Sequence, residues 1–568
     1  MNARLPNEAD EVAPSQLEVR ASEGILGPNP FVGLRPEDVL ESIRAVCNAS
    51  LKQPTLVLEQ QVQLARELYL VSTGASQNTP APGDRRFTDP EWTENWIYRT
   101  WLQAYLAWRS RLNEFIDQLD LDRMSKDRAR FVVAMLTEGL APNNTFLGNP
   151  GALKKAIETK GSSIVEGLKN VLEDVVGNNS MPAQVDKTAF QLGRNVAVSA
   201  GAVVFSNEVL ELIQYAPTTA QVHARPHLIV PPQINKFYVF DLSPGKSIVA
   251  HLLNSGFQVF MVSWRNPTAD HCEWGLDAYV EAVLEAIEAT RAISGSDSIN
   301  VHGACSGAMT MSALLGYLAA KGDTRVHAAT MMVAVLGRNP GSQLDLFVTP
   351  ETIAASKAKS ALKGVLDGHE MATVFAWLRP NDLVWSYWVN NYLLGNRPPK
   401  LDILFWNNDC TRLPARFHAQ LLDVFAERLF ERPGALRVLG VPIDLRQIAC
   451  DKFVVAGLTD HITSWKGVYS SAQLFGGTCE FVLSSSGHIQ SLINPPTNLK
   501  AKFFINRDMT RAPEKWLSDA EQFSGSWWDH WAGWLAARSG PQREAPTSLG
   551  NNEFKPGAPA PGTYVFET

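Results

Sequence analysis

The sequence predicts an α/β fold with a parallel sheet, preceded by a mainly helical N-terminal region. Three observations point to it. Apolar residues recur at helical spacing through the first third of the chain. From about Phe190 onward, short β-branched runs alternate with amphipathic helices, the pattern of βαβ units. One strand-to-helix junction, Ile299 to Leu318, carries Gly303-Ala304-Cys305-Ser306-Gly307 at its turn.

In chain order, residues 1–35 are polar and punctuated by Pro and Gly, and are expected to be poorly ordered. Val39, Leu40, Ile43 and Val46 begin a helical stretch that runs to about Leu70, and Ser72 to Arg85 is a loop by composition. The aromatic segment Phe87 to Trp108 has helical spacing, which favours a core or docking face over a cofactor site. Further helices are expected around Phe131–Leu136 and Ile164–Val175. Val196–Phe205 and Glu208–Tyr215 read as a hairpin about a Ser-Asn turn. Strands follow at His227–Val230, Phe257–Trp264, Ile299–Val301, Ala328–Leu336, Phe453–Gly457 and Cys479–Leu483, with a helix over Leu276–Ile293. The organisation expected is a helical domain over 1–188 and an α/β domain over 189–568, interrupted by a mostly helical, aromatic insertion at 338–446. The helix Trp527–Trp534 is either core or a surface that meets something apolar, and sequence does not separate the two.

At 568 residues the chain can bury a large core. A net charge of −7 gives no electrostatic case for nucleic acid. The six cysteines are scattered without C-x-x-C or metal-ligand spacing, so they read as reduced thiols of a cytoplasmic protein, with no metal site. The N-terminus lacks the apolar core of a signal peptide, and no apolar run reaches the roughly 18–20 residues that span a bilayer, so a soluble or at most surface-bound protein is expected.

The pentapeptide at 303–307 is the nucleophile elbow G-x-S-x-G with sulfur replacing oxygen. A strand turning sharply into a helix strains the middle residue and needs Gly on either side to avoid Cβ clashes. The thiol then stands at a helix N-terminus, where the dipole favours thiolate. Such elbows belong to the α/β-hydrolase fold, whose helical lid is inserted where this chain has residues 338–446. The order of the fold calls for an acid and then a histidine after late strands. Asp460 follows the strand ending at Gly457, and His488 follows the one ending near Leu483. His461 adjoins Asp460 but precedes the last expected strand, where the acid belongs. In this reading His488 accepts the Cys305 proton and Asp460 fixes the imidazole. The oxyanion falls to the N–H groups of Ser306 and of Gln233, since Pro231 and Pro232 have none.

These residues sit among motifs that resemble the polyhydroxyalkanoate synthases: Asp89-Pro90-Glu91-Trp92, Pro231 to Tyr238 (Pro-Pro-Gln-Ile-Asn-Lys-Phe-Tyr), Ser263-Trp264-Arg265-Asn266-Pro267, Arg379-Pro380-Asn381-Asp382-Leu383, Trp406-Asn407-Asn408-Asp409, Asp460-His461-Ile462 and Gly487-His488-Ile489. The resemblance runs from Phe87 to Tyr564. Tyr105–Trp108, Trp385–Tyr392 and Gln490 make it most similar to the single-subunit, medium-chain (class II) type. It implies an acyltransferase that polymerises (R)-3-hydroxyacyl-CoA and releases CoA from a covalent acyl intermediate on Cys305. It implies no cofactor, a homodimer working in the cytoplasm on a polyester granule with granule-associated proteins, and no nucleic-acid partner. Ile234, Asn235, Ala334 and Gln490 become candidates for the substrate tunnel, and the insertion a cover that keeps water out. The sequence departs from the family's pattern at Ala308 and Gly337, usually Gly and Asp, and at Ala334, often Ser in medium-chain members. A Cys-dependent thioesterase or lipase-like hydrolase on the same fold, or a non-catalytic granule protein, would carry many of the same residues.

Overall fold

The computed structural model describes residues 36–178, 180–337, 339, 346, 348–368, 370, 380–460 and 462–568. The expectation for residues 1–35 and the residue His461 fall outside them. The chain forms two compact units. One joins Leu26–Ala189 to Ser342–Lys400, and the other joins Phe190–Gly341 to Leu401–Thr568. The stretch read as one insertion, 338–446, is thus shared between the units.

The first unit is helical. Its helices Pro54–Ser72, Trp96–Gln118, Arg123–Gly139 and Pro150–Glu158 begin where the sequence supplies a start signal. Pro opens the first and last, and the side chains of Asn95, Asp122 and Asn149 accept from first-turn N–H groups of the second, third and last. The aromatic segment is partly core: Phe87, Trp92, Leu102 and Tyr105 pack with Ala141, while Trp96 and Trp101 lie exposed.

Helix Ser162–Gly177 is turned inside out. It buries Ser163, Gly167, Asn170 and Asp174 and exposes Val165, Leu168, Leu172, Val175 and Val176. Its polar face meets the π-helical turn Trp388–Leu393. Asn170 Nδ2 donates to the carbonyls of Asn391 (2.8 Å) and Asn396 (2.9 Å), and the Tyr392 hydroxyl donates to Asp174 (2.7 Å). A Cβ at Gly167 would stand 2.1 Å from the Tyr392 carbonyl oxygen, so the close approach requires glycine.

The second unit is built on a ten-stranded sheet. Its strands are β1 (Gly201–Ser206), β2 (Leu210–Tyr215), β3 (His227–Val230), β4 (Val259–Trp264), β5 (Ile299–Ala304), β6 (Val326–Met332), β7 (Asp451–Gly457), β8 (Cys479–Ser484), β9 (Lys502–Ile505) and β10 (Glu521–Ser524). They lie in the order β1-β2-β4-β3-β5-β6-β7-β8-β9-β10. The six from β4 to β8 pair in parallel, and antiparallel pairs flank them on both sides. Helices α1 (Ile248–Asn254), α2 (Leu276–Ser294), α3 (Ser306–Ala320) and α4 (Trp465–Ala472) make the crossovers. With both faces covered, the central parallel strands are buried throughout: β3, β4 and β5 have no exposed residue.

Two expectations change. The hairpin begins at Gly201 and not Val196, because Val196 forms only an isolated bridge to Leu192. Cys479–Leu483 is not the last strand. Strands β9 and β10 follow it as an antiparallel edge, too short and mixed in polarity to show a period-two signal. The Trp-rich helix α6 (Trp527–Ala536) is core: Trp527, Trp528 and Trp531 are at most 1% exposed. The Trp531 indole donates to Thr330 on β6 at 2.9 Å. Those of Trp527 and Trp528 donate to carbonyls of the short helix α5 (His488–Leu492) at 2.9 and 3.2 Å.

Candidate active site

Cys305 stands between β5 and α3 with φ 49° and ψ −124°, a backbone conformation that costs a non-glycine residue of order 1–3 kcal/mol and clusters at functional sites. The surroundings force it. A Cβ at Gly307 would lie 2.4 Å from the Pro231 carbonyl oxygen and 2.5 Å from that of Val230, and one at Gly303 would lie 2.8 Å from Ala308 Cα. Cys305 is half-buried and heads a fifteen-residue helix whose first N–H groups have no intrahelical acceptor.

Asp460 and His488 come from the loops after β7 and β8, adjacent parallel strands. The two loops can approach because β7 ends in glycine: a Cβ at Gly457 would meet the Ser486 carbonyl oxygen at 2.7 Å. His488 Nδ1 lies 2.7 Å from Asp460 Oδ2, and both side chains are almost wholly buried. The other carboxylate oxygen accepts from the N–H groups of Ile462 and Thr463, each at 2.9 Å. Burial opposes ionisation of Asp460, but the His488 charge and these hydrogen bonds outweigh it and hold the carboxyl below its ordinary range. Burial likewise works against protonated His488. The Asp460 charge and hydrogen bond overcome it, with Cys305 adding to them, and the ring ends well above an ordinary histidine. Nε2, the edge of the ring on the Cys305 side, makes no well-formed hydrogen bond among the described residues. Cys305 is near enough to the ring to add to the upward shift. Catalytic hydrogen bonds often form fully only once substrate binds.

The structure therefore brings Cys305, His488 and Asp460 into one constellation. Thr463 joins them: its hydroxyl donates to Asp460 Oδ2 at 2.7 Å and lies 3.1 Å from His488 Nδ1. Sequence reasoning missed it. The signal was local, since an Asp whose carboxylate takes the N–H groups two and three residues on is an Asx turn, and here the third residue is a threonine.

The expected oxyanion donors are also close together, but one is engaged. The Gln233 N–H donates to Ser306 Oγ at 3.0 Å, and the Gln233 side chain donates to Thr310 at 2.9 Å. The four tunnel candidates lie in three places. Ile234 and Asn235 are buried in the loop after β3, where Asn235 bridges Cys410. Ala334 follows β6 and lines a small apolar cavity with Met331, Leu336, Val454 and Phe475. Gln490 is partly buried on α5, two residues past His488. Among the described residues no group of His, Cys, Asp and Glu could hold a metal ion, and no helix is long and apolar enough to cross a membrane.

A strained cysteine at a strand-to-helix elbow, with an Asp-backed histidine delivered from the ends of two later strands of a parallel sheet, defines an α/β-hydrolase-fold protein of nucleophilic type. Comparison with known proteins agrees: residues 226–495 match the alpha/beta hydrolase fold, and residues 83–252 match the poly-beta-hydroxybutyrate polymerase (PhaC) N-terminus. The chain is 51% identical to poly(3-hydroxyalkanoate) polymerase 1 of Ectopseudomonas oleovorans, covering 97% of this chain and 99% of that one. It is 49% identical to polymerase 2 of the same organism, covering 95% and 96%. It is 40% identical to the poly(3-hydroxyalkanoate) polymerase subunit PhaC of Cupriavidus necator, covering 87% and 85%. The chain belongs to the poly(3-hydroxyalkanoate) polymerase family, and so is an acyltransferase of polyester synthesis.

Proposed function

We propose that this protein polymerises (R)-3-hydroxyacyl-CoA through a covalent acyl intermediate on Cys305. His488 Nε2 takes the thiol proton, and the sulfur attacks the thioester carbonyl. The tetrahedral oxyanion is held by the N–H groups of Ser306 and Gln233, the latter released by its Ser306 hydroxyl partner. The C–S bond to CoA breaks, and the CoA thiolate takes the proton from His488. The hydroxyl of a second hydroxyacyl group then gives its proton to His488 and attacks the acyl-cysteine carbonyl, forming the ester and freeing the Cys305 sulfur. Exchange of one thioester for another is nearly thermoneutral and conversion to an oxygen ester is downhill, so the cycle needs no metal or cofactor. The observation that carries this reading is the 2.7 Å His488–Asp460 contact beside the elbow cysteine.

The medium-chain preference rests on Tyr105–Trp108, Trp385–Tyr392 and Gln490. The exposed aliphatic face of helix Ser162–Gly177 supports work at an apolar polymer surface in the cytoplasm, where two copies act together and granule-associated proteins gather. The test is incubation of purified protein with 3-hydroxydecanoyl-CoA. CoA release with polyester as product is expected. Free hydroxy acid without polymer would replace this reading with a thioesterase, and no CoA release at all would replace it with a granule scaffold.

A further inference from the structure

Gln233 lies in a loop, Pro231–Tyr238, that is held from two sides within the sheet unit. One side is the segment Trp406–Thr411. The Trp406 indole donates to the Lys236 carbonyl at 2.7 Å, the Tyr238 hydroxyl donates to Asp409 at 2.8 Å, and the Thr411 hydroxyl donates to the Gln233 carbonyl at 2.6 Å. The other side is the segment Thr563–Glu567, more than three hundred residues away in sequence.

Lys236 joins the two. Its side chain is 5% exposed, and an ammonium so buried requires every donor to be matched. Its three N–H groups have three acceptors: Asp409 Oδ1 at 2.9 Å, the Val565 carbonyl at 2.6 Å and the Glu567 carbonyl at 3.0 Å. The segment supplying those carbonyls is itself fixed. Glu211 on β2 accepts from the N–H groups of Thr563 and Tyr564 at 2.9 and 3.0 Å, and the Tyr564 hydroxyl donates to the Asn207 carbonyl at 2.8 Å. The Arg265 guanidinium lies 4.1 Å from the centre of the Tyr564 ring. Glu567 accepts from the Asn266 N–H at 3.0 Å.

We propose that Lys236 and the segment Tyr564–Glu567 act as a strut that positions the oxyanion donor of Gln233, making Lys236 a positioning residue for acyl transfer. This inference rests on the proposed function, because it gives the Gln233 N–H its task. Lys236 is three residues from Gln233, and the intervening Ile234 and Asn235 are at most 6% exposed, so the loop has little slack. A shift of about 1 Å in a donor costs on the order of a hundredfold in rate, and an oxyanion donor removed outright costs about 10²–10³.

The test uses two variants of the full chain, Lys236→Met and the double variant Tyr564→Ala/Glu567→Ala. The second loosens the strut without touching the buried ammonium, in case the first fails to fold. CoA release from 3-hydroxydecanoyl-CoA gives kcat and KM. Alkylation of Cys305 by iodoacetamide, followed on its own peptide by mass, reads the thiol and histidine alone, since alkylation forms no oxyanion. The expected result is a kcat lower by about ten- to a hundredfold in both variants. KM should stay within about threefold, and alkylation within about twofold of the parent. Two results would overturn the strut: unchanged kcat, or kcat and alkylation falling together, which would mean that the contacts serve only to hold the fold. A parent protein that releases no CoA would overturn the proposed function, and the strut with it. That outcome is visible before any variant is compared.

Discussion

Replacing Asp460 by Asn tests the site most directly, because the substitution keeps the shape and removes one charge. In the parent, one carboxylate oxygen accepts from two backbone N–H groups and the other from Thr463 and His488. The amide oxygen can keep the backbone pair, but its NH2 group then faces His488 Nδ1. The ring must present a lone pair there, so its proton moves to Nε2, where it can no longer accept one from Cys305. The tautomer is wrong for catalysis, and the loss expected is about 10³–10⁴ in kcat, or about 4–5.5 kcal/mol of barrier. Folding suffers less, by about 1.5–3 kcal/mol, the worth of a hydrogen bond to a charged group. The assay is CoA release from 3-hydroxydecanoyl-CoA by chromatography, with circular dichroism to confirm that the variant is folded. A folded Asp460→Asn protein working within about tenfold of the parent would refute the role given to the carboxylate.

Other outcomes follow from the same geometry. Cys305→Ala should release no CoA, and the parent stopped early in turnover should carry an acyl group on the peptide containing Cys305 by mass spectrometry. Gly307→Ala should destabilise by about 1–3 kcal/mol in a denaturant titration and lower activity, since its methyl would meet the carbonyl oxygens of Pro231 and Val230 at 2.4 and 2.5 Å. Gly337→Asp, which restores the residue usual in the family, should be destabilising, because its Cβ would stand 2.2 Å from Glu431 Oε1 and bring a second carboxylate beside it; adding Glu431→Ala should recover most of the melting temperature. The stability difference between the parent and Asp460→Asn should depend on pH with a defined sign. Asp460 is held below its ordinary value of 3.8, so its contribution is present above that pH and is lost as pH falls through the folded value. His488 is held above 6.5, so its contribution is full below that pH and fades as pH rises toward the folded value. The difference should therefore be widest between pH 3.8 and 6.5, as urea unfolding across that range would measure.

Much of this site is written in short-range sequence. The elbow is legible because sterics at Gly303 and Gly307 demand a particular pentapeptide, and the parallel strands because burial on both faces makes them rich in apolar and β-branched residues. Asp460 and His488 are legible through chain order, since each follows a strand. Other features depend on long-range pairing that no local pattern records. Thr463 matters only because Asp460 and His488 meet over it. Lys236 looks like an ordinary charged residue until carbonyls from positions 565 and 567 close around it. Strands β9 and β10 gain their pairing from β8, and carry too little apolar alternation to announce themselves. Helix Ser162–Gly177 misleads for a different reason: its spacing predicts the helix correctly, but an apolar stripe conventionally implies an inward face, and here that face points out.

The helical unit has a further consequence for how the polypeptide is made. Its two pieces are separated by more than 150 residues of sheet, so a ribosome must translate the elbow and the strands up to β6 before the Asn391 and Asn396 carbonyls exist to meet Asn170. A gene cut after codon 189 would encode a fragment with the buried polar groups of Ser162–Gly177 left without their partners. Such a fragment should precipitate unless residues 342–400 are co-expressed with it as a separate peptide.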